Sequence, residues 1–255
     1  MELWVRSRST EGTEQVMVHS AWDPASAAVV ICDMWDTHHC VSAAARVEEM
    51  APRMNELVSH LRAAGGLIVH APAGCMDFYR DTPARLRAMQ APRVEPPVSV
   101  DWQDWNEARE APLPPSLVGP TPCSCEATGP CGAGGPPWPW TRQTAAIHIS
   151  AEDAVTDDGQ ELYSLLQHRG IEDVIVMGVH TNLCVLGRPY GIRQLTYLGK
   201  RPLLCRDLTD SFHRDLRGHF WGTRQIVAHI ERHWCPTVTS DQLDGGARFR
   251  FRADS

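Results

Sequence analysis

Two segments of this chain carry residue types that can make and break covalent bonds. The first is GVHTNLCV, residues 178–185, in which Cys184 follows an apolar run and stands where a helix should begin. A thiol at that place sits among backbone N–H groups without helical partners, which lower a thiol pKa and can hold an oxyanion. The same position also suits a buried cysteine that simply fills a first helical turn. The second segment is ICDMWDTHHC, residues 31–40, where Asp33 closes an apolar run. A carboxylate at the end of a buried strand is costly unless something compensates it. Facing a thiol, it is a candidate general base; otherwise it reads as a helix cap or a salt-bridged acid.

The elements that must position these residues follow from the hydrophobic pattern. Continuous apolar runs at 27–33, 67–71, 145–150, 173–178 and 201–207 read as strands covered on both faces. Between them, residues 43–64 carry Val47, Met50, Met54, Leu57, Val58 and Leu61 at helical spacing, stopped by Gly65-Gly66. Further helices are expected at 160–168, 182–198 and 220–233. This alternation predicts an α/β fold: a three-layer, Rossmann-like parallel sheet with helices on both faces. Ligands in such sheets collect at the carboxyl ends of the strands. Those ends are Asp33, 70–72, 150–153, 179–181 and 207–210. Residues 1–255 are read as one domain, interrupted at about 90–143 by an irregular stretch rich in Pro, Gly, Trp and Cys. Its tryptophans, Trp102, Trp105, Trp138 and Trp140, argue for an ordered, lid-like insertion. The tail after Cys235 is expected to add an edge strand or wrap a partner subunit.

Composition narrows the function. A formal net charge of −7 argues against nucleic acid and gives no basic handle for an anionic membrane. No apolar run is long enough to span a bilayer. The polar start lacks a signal core, so a cytoplasmic location is expected, with export after trimming of a signal left open. The nine cysteines are an odd number, so at least one lies outside any intrachain disulfide; Cys32 and Cys205 read as core residues. The single lysine is Lys200.

Taken together, the Asp-ended first strand and the Gly-Val-x-Thr-Asn-x-Cys-Val turn resemble the isochorismatase-like cysteine hydrolases, a superfamily that includes nicotinamidases, N-carbamoylsarcosine amidases and isochorismatases. The resemblance spans roughly residues 27–233, apart from the insertion. It implies that Asp33 takes the proton of Cys184, which attacks a carbonyl. It also implies a cis peptide between Val179 and His180, turning the His180 N–H toward the Cys184 N–H to form an oxyanion hole. Trp35 and His38, beside Asp33, would contact substrate, as would Arg188.

The chain departs from the family at the third catalytic position, usually a lysine at the end of the third strand. Here that region, 145–159, holds no lysine, and Lys200 is poorly placed. Glu152 stands nearest the position, with Asp153 next; a carboxylate there would be a proton-sharing partner of Asp33. Alternatively Arg142 or Arg188 supplies the positive charge. The segment 70–83 lacks the Asp-x-His pattern of a nicotinamidase metal site, so no catalytic metal is expected; a different site from Asp36, His38, His39 and Cys40 is a further option. Cys123, Cys125 and Cys131 could hold a structural zinc, form disulfides or stay unlinked. The expected protein is a homo-oligomeric hydrolase of a small-molecule C–N bond. The alternative is a pseudoenzyme that keeps the pocket and only binds a small molecule.

Overall fold

The computed structural model describes residues 1–9, 14–118, 123–124, 138–213 and 217–254. In chain order its strands are β1 (Glu2–Arg8), β2 (Gln15–Ala21), β3 (Ala27–Cys32), β4 (Leu67–Ala71), β5 (Ala154–Val155), β6 (Asp173–Val179), β7 (Arg201–Asp210) and β8 (Thr237–Val238). The helices are α1 (Val41–Ala63), α2 (Met76–Tyr79), α3 (Pro83–Met89), α4 (Pro115–Val118), α5 (Gly159–His168), α6 (Cys184–Gly187), α7 (Ile192–Tyr197), α8 (His219–His233) and α9 (Ser240–Asp244). The strands form one sheet in the order β2-β1-β8-β7-β6-β3-β4-β5. All neighbours from β5 to β8 pair in parallel, and β1 and β2 add an antiparallel hairpin. Every residue of β3 and β4 is buried, as their unbroken apolar runs require. One apolar layer packs α5 to α8 against the sheet, and a second packs α1 and α9 against the other face.

The chain order places the site. From β3 the sheet grows through β4 and β5 in one direction, and from β6 through β7 and β8 in the other. The boundary between β3 and β6 is therefore the topological switch point, where the crossovers diverge and leave a crevice at the carboxyl ends. Asp33 follows β3 and the 180–184 turn follows β6, so the two segments with reactive residue types meet there. Gly178 makes this approach feasible: its φ is +107°, and a Cβ would lie 2.1 Å from the Cys32 carbonyl oxygen.

Three expectations need correction. Residues 145–150 form no strand. Their donors are captured by side chains: Ala146 N–H by Thr144 Oγ1, His148 N–H by Asn55 Oδ1, and Ser150 N–H by Asp153 Oδ2. The sheet instead gains the two residues of β5. The helix expected over 182–198 is broken into α6 and α7 by Arg188-Pro189-Tyr190-Gly191. Arg188 has ψ 154°, the extended geometry that a following proline favours. The tail does add a strand, but β8 lies inside the sheet between β7 and the hairpin, not at an edge.

Part of the insertion is tied down by one carboxylate. Glu110 is buried and holds Arg193 Nη2 at 3.0 Å, His229 Nε2 at 2.7 Å and Trp234 Nε1 at 2.7 Å. Burial alone would raise its pKa, but these partners outweigh it and hold the carboxyl at about 2. Asp153, gripped by His70, Arg62 and the Ser150 N–H, is likewise held at about 2. Both acids have depressed folded-state values, so their stabilisation is complete above the ordinary 4.5 and 3.8 and is lost as pH falls toward about 2. Urea denaturation at pH 6, 4 and 3 should show this loss. Glu110→Gln should be less stable than the parent at pH 6 by about 3 kcal/mol, since Arg193 loses its counter-charge, and the gap should narrow by pH 3 and close toward pH 2. Parallel pH profiles for the two proteins would contradict the assignment.

Candidate functional site

Asp33 is fully buried, at φ +49°, a left-handed conformation that Asp tolerates better than most residues. This turn off the end of β3 aims the carboxylate into the crevice. Four groups converge on it. The Ala73 N–H, from the loop after β4, donates to Oδ1 at 2.8 Å. The Tyr190 hydroxyl donates to Oδ1 at 3.2 Å. Arg188 Nε donates to Oδ2 at 3.2 Å. The Cys184 thiol completes the set by a hydrogen bond with the carboxylate.

The 179–184 turn is held by its own motif residues. The Val179–His180 peptide is cis. Thr181 N–H donates to the Asp210 carbonyl, and Thr181 Oγ1 meets Thr209 Oγ1 at 2.7 Å. Asn182 Nδ2 bonds the carbonyls of Leu117 and Phe212, and its Oδ1 accepts the Phe212 N–H. The threonine and asparagine thus pin the turn to the end of β7. The His180 backbone N–H reaches the Cys184 sulfur. Cys184 N–H belongs to the first residue of α6, where no intrahelical acceptor exists. Cys184 itself is 7% exposed.

The electrostatics differ from the expectation of a thiol activated by a helix N-terminus. α6 spans four residues, and burial together with the neighbouring Asp33 charge pushes the Cys184 pKa up, against the opposing influence of Arg188. Burial also raises Asp33, while Arg188, Cys184 and the Ala73 N–H pull it down. Burial thus favours a neutral thiol, and the Asp33 carboxyl beside it is held by one guanidinium.

Of the cations considered from the sequence, Arg188 is the one that reaches Asp33. Its position follows from Pro189, which breaks the helix and turns residue 188 back across the crevice. Glu152, the nearest residue by spacing, is exposed on the turn before β5. The structure does not bring it to Asp33. Asp153 is buried, but both its oxygens serve Arg62, His70 and Ser150. Arg142 Nε lies 3.8 Å from Asp36, away from the pair. Lys200 is bound to the Ile171 carbonyl and Glu172. Tyr190 and the Ala73 N–H escaped the sequence reading. The Arg-Pro-Tyr-Gly breaker inside a helical pattern was the available signal for Tyr190; a backbone donor leaves none.

Aromatic rings cluster about the segment that follows Asp33. Trp35 is fixed by Nε1 on the Ala73 carbonyl and stacks on Trp140 at 4.0 Å. His38 lies 5.5 Å from the Trp140 ring and presents Nε2 to His180 Nε2 at 3.3 Å. The Cys40 N–H donates to His38 Nδ1, so neutral His38 carries its proton on Nε2. Burial and the neighbouring His180 lower the His38 pKa to about 2; burial lowers His180 to about 4 despite Asp210. Trp102 packs on the segment after Cys184: the Arg188 guanidinium lies 5.6 Å from its ring, and it sits so close to Gly187 that a Cβ there would come within 2.8 Å. Among the described residues, no group of three His, Cys, Asp or Glu side chains is arranged to hold a metal. Of the suggested zinc ligands, Cys123 is buried near Cys40, while Cys125 and Cys131 lie outside the described residues.

By sequence, no family model and no curated protein matches the chain. Its structure does match solved ones. A cysteine hydrolase from Pseudomonas syringae pv. phaseolicola 1448A superposes with a TM-score of 0.53 at 14% identity, covering 88% of this chain and 94% of that one. An isochorismatase hydrolase from Oleispira antarctica gives 0.50 at 12% identity, covering 89% and 100%. The chain therefore has the isochorismatase-like cysteine hydrolase fold.

The arrangement predicts the reactivity of the thiol. Alkylation of Cys184 by iodoacetamide, followed by mass spectrometry, should be slow at pH 7 and accelerate above pH 9. Arg188→Met should slow it about tenfold, since the positive charge that favours the thiolate is gone. Glu152→Gln should leave the rate unchanged.

Proposed function

We propose that this protein hydrolyses a C–N bond of a small amide through a thioester on Cys184, with Asp33 as general base and Arg188 in place of the family lysine. The observation that carries this reading is the buried Asp33 carboxylate touching the thiol on one side and a guanidinium on the other. The reaction balances with these groups alone. The Cys184 proton passes to Asp33 as the sulfur adds to the carbonyl carbon. The resulting oxyanion is received by the N–H groups of His180 and Cys184. Asp33 then returns the proton to the leaving nitrogen, the C–N bond breaks, and a thioester remains. Water, deprotonated by Asp33, attacks the thioester and releases the acid and the thiol.

The raised pKa of Asp33 suits it to both directions of transfer, because a weakly acidic carboxyl returns a proton more readily. Arg188 opposes that rise, since its charge favours the ionised carboxylate. The neutral histidines and stacked tryptophans favour a small substrate with a flat, apolar portion. The similarity to a cysteine hydrolase supports the reading at the level of the fold.

A screen of small primary and secondary amides tests it. Cys184→Ala should lose all turnover while keeping its melting temperature. Asp33→Asn should fall about 10³-fold; Asn adopts the left-handed conformation readily, so the change isolates the charge. The acidic limb of kcat/KM should lie above the usual carboxylate range and fall as pH drops through it. In Arg188→Met that limb should move to higher pH, and Arg188→Lys should move it partly back. An intact, folded protein that turns over none of these amides, and forms no thioester with activated acyl donors, would instead be the binding protein of the same fold.

A further inference from the structure

A cavity of about 570 Å³ lies between the β1–β2 hairpin, β7, α8 and the C-terminal tail. Of its lining residues only Thr209, which holds the Thr181 turn, is shared with the Asp33 site, and neither Asp33, Cys184 nor Arg188 lines it. Six of them are arginines: Arg6, Arg8, Arg206, Arg224, Arg248 and Arg250. Against these stand Asp207 and Asp254 in the wall and Glu231 just behind it, an excess of three positive charges in a chain whose net charge is −7. Clustered like charges repel, and in an acidic protein their assembly in one hollow needs a compensating partner.

The acids present are already committed. The one carboxylate of Glu231 receives both Arg6 Nε at 2.6 Å and Arg8 Nε at 2.8 Å, and also the Thr237 hydroxyl. Asp207 accepts from Ser240 N–H, Ser240 Oγ and Phe249 N–H, so it anchors the tail. Asp254 pairs with Arg224 at 2.7 Å. Among the described residues no carboxylate pairs with Arg206, Arg248 or Arg250. Arg206 donates through Nη1 to Thr237 Oγ1, while its Nε is buried without a partner. Burial and the adjacent Arg6 and Arg248 charges lower its pKa to about 10, the sign of a cation set among cations.

The remaining wall is aromatic. Phe220 lies 5.2 Å from Phe251, which lies 4.9 Å from Phe249. Arginine forks match the oxygens of a phosphate, which carries nearly two negative charges at neutral pH, and phenylalanine faces accept a flat ring. We infer that this cavity binds a small organic phosphate carrying a flat ring, with Arg206, Arg248 and Arg250 receiving the phosphate and the phenylalanine cluster the ring.

Isothermal titration calorimetry of the full chain with phenyl phosphate and with pyrophosphate, at low salt, tests this. Saturable one-to-one binding of phenyl phosphate is expected with a dissociation constant below about 1 mM. Affinity should weaken as sodium chloride rises toward 0.5 M. Arg206→Met should lower the affinity at least tenfold. Arg248 and Arg250 are both exposed, so the double variant Arg248→Met/Arg250→Met should fold normally and lose binding to a similar degree. Cys184→Ala should bind as tightly as the parent, which separates this site from the proposed catalytic one. Absence of saturable binding, or equal affinity in the folded double variant, would overturn the proposal. Pyrophosphate binding as tightly as phenyl phosphate would overturn the assignment of the phenylalanines.

Discussion

A carboxylate withdrawn from water is tolerated only when the protein replaces its hydration, and Asp33 imposes this demand on the whole carboxyl edge of the sheet. Its oxygens are served by a backbone N–H from the loop after β4 and by Tyr190 and Arg188 from the segment after α6. The thiol arrives from α6 itself. Three chain segments must therefore reach one point, and the strand order brings two of their parent strands, β4 and β6, to either side of β3. Gly178 lets β6 approach β3 closely, and the left-handed turn at Asp33 directs the side chain across the gap. Loss of any one group leaves a buried charge short of compensation, so the geometry of the site and its electrostatics are a single constraint.

Pro189 decides where Arg188 points. A continuous helix after Cys184 would carry residue 188 one turn on, projecting from the helix surface. The proline stops α6 after four residues and holds Arg188 extended, so its guanidinium reaches Asp33, and Tyr190 follows from the same break. The guanidinium stays charged under all ordinary conditions and cannot exchange a proton. Arg188 can therefore hold the Asp33 carboxylate but cannot take its proton.

The sequence made the parallel core legible because strands buried on both faces leave unbroken apolar runs, as in 27–33 and 173–178. The pairing of Asp33 with the 178–185 turn was legible because both sit at strand ends. Residues 145–150 misled because an apolar run reports burial, not hydrogen bonding; here Thr144, Asn55 and Asp153 take donors that a strand would have used. Glu152 misled because position along the chain does not say which way a turn points its side chains, and its neighbour Asp153 is the one drawn inward by Arg62 and His70. Arg188 stood among the alternatives, and what singled it out was the proline beside it.

The insertion explains how a site that needs dryness is built at an open sheet edge. Its two described arms reach different parts of the site. One brings Trp102 over Gly187 and the Arg188 guanidinium, locked by Gln103 N–H on the Gly187 carbonyl at 2.7 Å and by Asp101 N–H on Gln194. The other brings Trp140 onto Trp35, locked by Thr141 on both oxygens of Asp36. Each arm ends in a large aromatic face held by hydrogen bonds to the scaffold rather than by apolar contact alone. An indole over the guanidinium displaces water without neutralising the charge, since the attraction to the ring face is weaker than an ion pair. Arg188 keeps its charge for Asp33 while losing solvent, and a charge with less solvent around it acts more strongly on its neighbour. The irregular, tryptophan-bearing stretch thus strengthens the interaction on which the carboxyl edge depends.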